Sequence, residues 1–377
     1  MVVIGYGSMK KGEITSAITN VKSEDFIQGV VKDATQLLQG KVAGLQMASP
    51  SGDPTAGVEI NIRGVSTISA SSAPLIVIDG IPGGSLNSIA PEDVETIDVL
   101  KDGSAAAIYG TRGTNGVIII TTKKAKQGKA SLEYHGYVAF ESIQKQTDVL
   151  TASDYRRLAQ DPLFKDNISD EGADVNWIDA ITRNPVNHTH NLSLRGGTEK
   201  TNYIASITYR KQDGILLNTG KEALTFKIGL NHSMMDDKLK IQLNVNNSTI
   251  KQDVTWYNAY LQACLMNPTR PVYNEDGSYK EYGTSYKPYN PVALLNEETD
   301  QEKWNQLLAS GKITFSPSPI EGLNLSAMAA MQRYDSMRDK WNTFNYFTTT
   351  IENKNAEVTK WAAGSMDRTL ELTADYF

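Results

Sequence analysis

Few side chains in this sequence can do chemistry, and their spacing rarely gathers them. The chain holds four histidines and one cysteine. His188 and His190 stand two apart, so on a strand they would share a face and could offer two imidazoles to a metal. No third ligand accompanies them, and polar lumen-facing or loop positions are the expected reading. Asp79, Asp98 and Asp102 could be cast as paired acids, but turn and cap roles are expected for them. The stretch Gly110-Thr111-Arg112-Gly113-Thr114-Asn115-Gly116 spaces its glycines three apart. A dinucleotide loop needs G-x-G-x-x-G after a strand and before a helix. This one follows a helical stretch and precedes a strand, so it reads as a tight turn docking the next strand. The single Cys264 excludes an internal disulfide framework and a thiolate cluster, and a buried or loop thiol is expected. No enzymatic chemistry and no cofactor are called for.

A different chemistry is concentrated between Trp256 and Trp304. Tyr257, Tyr260, Tyr273, Tyr279, Tyr282, Tyr286 and Tyr289 are mixed there with Asn and Asp. Flat aromatic faces beside hydrogen-bonding groups suit an oligosaccharide or a peptide. The competing reading is a long loop that packs on itself and on a covering protein.

Two kinds of element must position these residues. Up to about Lys126 the chain reads as an α+β unit. Residues 33–40 and 102–110 read as short helices with Asp caps and Gly stops. Residues 58–64, 74–80 and 116–122 read as strands, the second closed by Asp79-Gly80. Beyond residue 129, long alternating segments take over. Leu132, Tyr134, Gly136, Val138 and Phe140 share one face, as do Leu224, Phe226, Ile228 and Leu230, and Leu239, Ile241, Leu243 and Val245. About eight such strands are expected, near 130–141, 188–197, 202–212, 223–234, 238–250, 304–316, 323–334 and 365–377. The connections alternate in length. Those near 198–200, 235–237 and 317–322 are short, whereas 142–187, 253–303 and 335–363 are long. A soluble sandwich has no reason to collect its long loops at one end, whereas an outer-membrane barrel does so routinely.

Composition agrees. With 37 basic and 43 acidic residues the net charge is −6, which argues against a nucleic-acid footprint. No run approaches the roughly 18 apolar residues of a membrane helix. Low overall hydrophobicity leaves a membrane barrel open, because only alternate strand residues face lipid.

Five stretches stand in order along the first part: VVIGYGSMKKGEITSAI at 2–18, LLQGKVAGLQM at 37–47, VEINIRGVST at 58–67, PLIVIDGIP at 74–82 and VETIDVLKDGSAAAIYGTRGTNGVIIITTKK at 94–124. In wording, order and spacing they resemble the plug of SusC/RagA-type TonB-dependent outer-membrane transporters of Bacteroidetes. HNLSLRGGTEKTNYIASITYRKQDGI at 190–215 resembles the family's barrel more weakly. The resemblance implies a Ton-box remnant and linker over 1–7, a plug over 8–126 and the first part of an outer-membrane β-barrel over 127–377. It implies that Val2, Val3 and Ile4 are paired edge-on by the periplasmic protein TonB, driven by its inner-membrane energising complex. It implies that Arg63, Gly64, Asp79, Gly80, Asp102, Tyr109, Gly110, Arg112, Gly113, Asn115 and Gly116 stabilise the plug and contact the barrel wall. A SusD-like surface lipoprotein would close over the mouth, in contact with the tyrosine-rich loop, and an oligosaccharide or peptide would be imported. Transporters of this kind have about 22 strands, so eight make an incomplete barrel. Leu370, Leu372, Ala374 and Tyr376 form the lipid-facing phase of the last strand, and Phe377, out of phase, reads as a cut inside it. The alternatives are a siderophore receptor, a non-transporting outer-membrane barrel, or a soluble carbohydrate-binding β protein.

Overall fold

Where apolar runs are short and punctuated by glycine, the chain folds on itself; where they alternate over many residues, it spreads into one sheet. The computed structural model describes residues 2–4, 7–9, 18–26, 31, 33–48, 53–62, 64, 72–101, 107–125, 127–164, 168–254, 258–282, 289–347 and 354–376. In the first part, β1 (Val2–Ile4) pairs antiparallel with β2 (Gly7–Met9). β3 (Ile18–Lys22) lies at the edge of a five-stranded sheet. β4 (Leu45–Ala48) and β5 (Glu59–Ile62) form a separate ladder. β6 (Leu75–Ile78), β7 (Ile81–Pro82), β8 (Val94–Leu100) and β9 (Val117–Thr122) complete the sheet in the order β3-β8-β9-β6-β7. Among the described residues only β6 and β9 run parallel. β8 and β9 are largely buried on both faces, which is why β9 reads as a near-continuous Val/Ile run, while β8 interrupts its apolar residues with Glu95, Thr96 and Asp98.

Where a helix is expected over 33–40, residues 36–38 make a 3-10 turn instead. It is capped as expected, Asp33 Oδ1 accepting from the Thr35 amide at 2.8 Å. That segment has too few residues to offset the cost of helix nucleation. Of the helix expected over 102–110, residues 102–106 lie outside the described residues; residues 107–113 make 3-10 turns split at Gly110, at φ 62°.

The second part is an eight-stranded antiparallel meander of β10 (Gly128–Phe140), β11 (Val186–Gly197), β12 (Thr201–Asp213), β13 (Gly220–Met234), β14 (Leu239–Asp253), β15 (Glu298–Phe315), β16 (Leu323–Asn342) and β17 (Val358–Tyr376). It is open, with β10 and β17 as edges. The long connections hold α1 (Ala152–Ala159), α2 (Trp177–Ile181), α3 (Asn258–Leu265) and α4 (Pro291–Asn296). No helix is long and apolar enough to cross a membrane among the described residues, which says nothing of strands.

The sheet's two faces differ. One is polar and covers the plug: Thr189, Asn191, Ser206, Thr208, Arg210, Gln212, Thr225, Lys227 and Ser248 are buried there. The other carries an exposed apolar band, including Leu132, Phe140, Ile207, Phe226, Ile228, Leu243, Leu370, Leu372 and Tyr376. The band slides along the strands. Its middle on β10 is Gly136, which is in register through every pair with Gly364 of β17. The band on β17 is centred about nine residues further on, near Thr373; at about 3.3 Å per residue and 4.8 Å between strands, a level band requires a strand tilt of about 40°. That is the tilt of membrane barrels, which runs from about 35° to 45°.

Candidate functional site: the plug, its wall and the vestibule above it

The plug is held to the wall by polar groups brought together from far apart in sequence. Arg210 of β12 pairs with both oxygens of Glu92, at 3.2 and 3.1 Å, and Ser206 donates to Asp93 Oδ2 at 2.8 Å. Lys227 donates to the Lys123 carbonyl, and Lys221 to Asn87 Oδ1 at 3.3 Å. Asn246 donates to the Ser88 carbonyl at 3.0 Å, Gln332 to the Gly83 carbonyl at 2.8 Å and Tyr137 to the Val31 carbonyl at 3.0 Å. Burial raises the Asp93 carboxyl above its ordinary range, with the Lys227 charge and the Ser206 hydroxyl opposing. Of the wall's apolar side chains, buried Leu308 and Ala330 join the main plug core.

Above these contacts a cavity of about 340 Å³ opens between plug and wall. The plug side is the turn Asp53–Val58, with Asp33 and Asn87. The wall side offers Gln212, Lys221, Gln252, Glu302, Trp304 and Tyr334. Gln252 donates to Glu302 at 2.7 Å, and the Trp304 and Tyr334 rings lie 6.2 Å apart. Two aromatic faces beside amides and charged groups can hold a hydroxylated or amide-bearing ligand.

The described plug-motif residues act mainly inside the plug. Asp79, at φ 47°, and Gly80, at φ 88°, make the turn between β6 and β7. The Asp79 carboxylate accepts from the Thr122 amide at 2.9 Å and its hydroxyl at 2.6 Å, tying that turn to β9. Tyr109 packs against the core of Val77, Leu100, Val117 and Ile119. Gly113 is buried, Asn115 half-buried and Arg112 exposed. Gly64 is at φ 92° and Gly116 at φ 88°. Arg63 and Asp102 lie outside the described residues. Asp98 departs from the turn or cap role expected of it. It sits in β8, buried, and accepts from Asn20 at 2.6 Å.

His188 and His190 are corrected too. They face the apolar side of the sheet, not the lumen, because the alternate residues Asn187, Thr189 and Asn191 are the buried ones. Their rings lie 5.2 Å apart, and His190 Nδ1 is 2.6 Å from the Tyr134 hydroxyl. The phase they share with Leu192 and Leu194 carries this information. No group of three metal-ligating side chains occurs among the described residues.

The tyrosine-rich loop forms a core with its neighbours. Tyr260, Tyr279, Tyr282 and Tyr289 pack on Trp177, Ile178, Ile181, Ala263, Leu294 and Phe347. The Tyr282 hydroxyl donates to the Pro271 carbonyl at 2.7 Å, with the Arg270 guanidinium 4.5 Å from its ring. Desolvation raises its phenol above the usual range. Tyr273 lies 5.2 Å from Tyr279 and is 51% exposed. Cys264 is half-buried on this core, which raises its thiol. Trp256, Tyr257 and Tyr286 lie outside the described residues. Sequence reading passed over Glu92, Arg210, Lys221, Gln252 and Tyr334, because their partners lie up to 134 residues away.

Three comparisons bear on this arrangement. Residues 10–117 match the TonB-dependent Receptor Plug Domain family. The TonB-dependent receptor SusC of Bacteroides thetaiotaomicron is 34% identical over 361 residues, covering 87% of this chain and 36% of that protein. The TonB-dependent receptor P26 of Formosa agariphila is 33% identical over 340 residues, covering 84% and 33%. The RagAB peptide importer in its open-open state shares the fold, with a TM-score of 0.79 at 23% identity over 100% of this chain and 46% of that one. The chain therefore spans about a third of the length of the curated relatives it matches. A plug cradled by the polar face of a tilted antiparallel meander, together with sequence shared along nearly its whole length with SusC, makes this chain a member of the SusC/RagA-type TonB-dependent receptors.

Proposed function

We propose that the chain supplies the plug and first wall of an outer-membrane transporter that imports an oligosaccharide or a peptide. TonB pulls on Val2–Ile4, a SusD-like lipoprotein closes the mouth, and the plug moves aside without covalent chemistry. The observation that carries this reading is the plug–wall boundary. It is held by hydrogen bonds and one buried ion pair, so water can replace the plug's partners as it leaves, whereas a large apolar seam would resist opening. The apolar band on the outer face supports placement in the outer membrane. The strand Val2–Ile4 is already paired on one edge with Gly7–Met9, and TonB adds to its open edge or displaces that partner. Ligand is held first in the vestibule, against Trp304 and Tyr334.

Uptake and binding by the full transporter test this reading. Replacing Val2, Val3 and Ile4 with glycine should abolish uptake and leave ligand binding intact. Trp304→Ala should weaken binding about tenfold, as expected for losing one aromatic platform. Energised uptake that survives the first change, or binding untouched by the second, contradicts the corresponding part.

A further inference from the structure

On the outer face, beyond the apolar band, one row of side chains runs across the strands. In register it is Lys211 of β12, Glu222 of β13, Lys251 of β14, Lys303 of β15 and Met337 of β16. Lys251 and Lys303 face each other directly across the ladder, both exposed. Like charges placed so are destabilising. The carboxylates nearby are already engaged. Glu222, between Lys211 and Lys251, pairs with Lys211 at 3.7 Å. Asp253 accepts from Gln301 at 2.9 Å, and Asp339 pairs with Lys360 at 3.4 Å. Among the described residues, neither Lys251 nor Lys303 has an acidic partner. A recess of about 460 Å³ opens between them and these neighbours.

Depth indicates what fills it. Along the sliding band, the centre falls near Asn244 on β14 and Gly311 on β15. At about 3.3 Å per residue and a tilt of about 40°, the two lysine Cα atoms stand roughly 18 and 20 Å beyond that centre. The hydrocarbon half-thickness is about 15 Å and the headgroup layer ends near 20 to 22 Å, so both lysines lie among headgroups. Asn247, Thr249 and Asn305 separate them from the apolar band below, and they hydrogen-bond one another.

We propose that Lys251 and Lys303 together clamp a phosphate group of an outer-leaflet lipid, whose acyl chains lie on Leu243, Val245, Leu307 and Ile313. The phosphate supplies the negative charge that this like-charge pair lacks, and fixes the height of the wall at that point. The inference rests on the membrane placement proposed above.

The test uses the full transporter in nanodiscs of phosphatidylcholine doped with phosphatidic acid, with bound lipid counted by native mass spectrometry. The wild type should retain phosphatidic acid over phosphatidylcholine. K251Q/K303Q should reduce that retention about tenfold, and K251R/K303R should preserve it. Equal retention by the wild type and K251Q/K303Q overturns the proposal. So does displacement of the lipid by inorganic phosphate at equal concentration, because the site would then take the free anion. Fractionation of cells reports membrane placement separately, and heat-shifted mobility of each variant reports an intact barrel.

Discussion

Arg210 and Glu92 face each other across the plug–wall boundary with 10% and 11% of their side chains exposed. One guanidinium nitrogen spans both carboxylate oxygens, while Arg210 Nε lies 3.3 Å from Thr189 Oγ1. Out of water, the attraction is largely offset by desolvation of both ions, so the pair itself adds little net stability. Removing one member is different, because it leaves the other charge buried and alone. Arg210→Met should weaken plug retention by about 3 to 5 kcal/mol, and Arg210→Met with Glu92→Leu by much less than the two single losses combined. Urea-driven release of the plug, followed by protease access to residues 72–101 in the full transporter, gives all three values. Additive losses would mean the two residues act independently.

The outer loops contain a proton-sensitive contact. Glu281 Oε2 accepts from the Asn290 amide at 3.3 Å, whereas Oε1 is buried without a hydrogen-bond partner among the described residues. Burial raises the carboxyl from its ordinary 4.5 to about 7; the Asn290 amide opposes the shift and Glu297 adds to it. The native state thus holds this proton more tightly than the unfolded chain. The stabilisation is complete below about 4.5 and is lost as pH rises through about 7. Amide protection in residues 258–282, taken relative to the intrinsic exchange rate at each pH, should therefore be greater at pH 5 than at pH 8. Glu281→Gln should remove most of that difference by staying neutral at both. A wild type equally protected at the two pH values contradicts this assignment.

The sequence made the barrel legible because lipid on one face and plug on the other impose a strict period of two. All eight strands fall where alternation places them. Their outer ends do not: β15, β16 and β17 run on to Glu298, Asn342 and Val358, past the apolar band. There Met337, Trp341, Val358 and Trp361 are scattered among polar residues, so pairing continues without a period-two apolar signature. In the plug, β5, β6 and β9 were legible with the Asp79-Gly80 turn, whereas β3, β4, β7 and β8 were not, since short or charge-bearing strands such as Val94–Leu100 carry no clean alternation; over 36–38 a 3-10 turn stands where a helix was expected. The wall anchors were not legible, since nothing local to Lys221 or Asn87 announces the other. Histidine orientation was legible in principle, once the lipid phase of β11 is fixed by Leu192 and Leu194.

Gly116 is a close-approach position as well as a turn. At φ 88°, a β-carbon there would lie 2.7 Å from Ile62 Cδ1 and 3.0 Å from the Leu100 carbonyl. The Ile62 methyl can rotate away, but the carbonyl belongs to β8 and cannot. Gly116→Ala should cost about 2 to 3 kcal/mol, part from the left-handed backbone and part from the clash between β5, β8 and β9. Gly64→Ala supplies the comparison. It also has positive φ, 92°, but no atom of the described residues stands within 4 Å of its added carbon, so only the backbone cost of about 1 kcal/mol should appear. Thermal unfolding of the two variants in the full transporter separates the terms, and equal losses would show that crowding at Gly116 is absent.

The turn between β13 and β14 puts three consecutive residues in the left-handed region, Met235 at φ 57°, Asp236 at 54° and Asp237 at 65°. Asp237 is held by the Ser233 hydroxyl, and the Lys238 amide donates to the Met235 carbonyl at 3.2 Å. Aspartate tolerates this conformation; methionine gains nothing from it, and the Met235 side chain is 61% exposed. Met235→Asn should therefore stabilise the hairpin by about 0.5 to 1 kcal/mol, while Met235→Ala stays near neutral because its β-carbon meets the same backbone strain. Met235→Val should lose about 1 kcal/mol, since branching at that carbon makes positive φ harder still. The order Asn above Ala above Val in thermal midpoint is the signature of backbone conformation. If side-chain burial governed the site, valine would rank above asparagine.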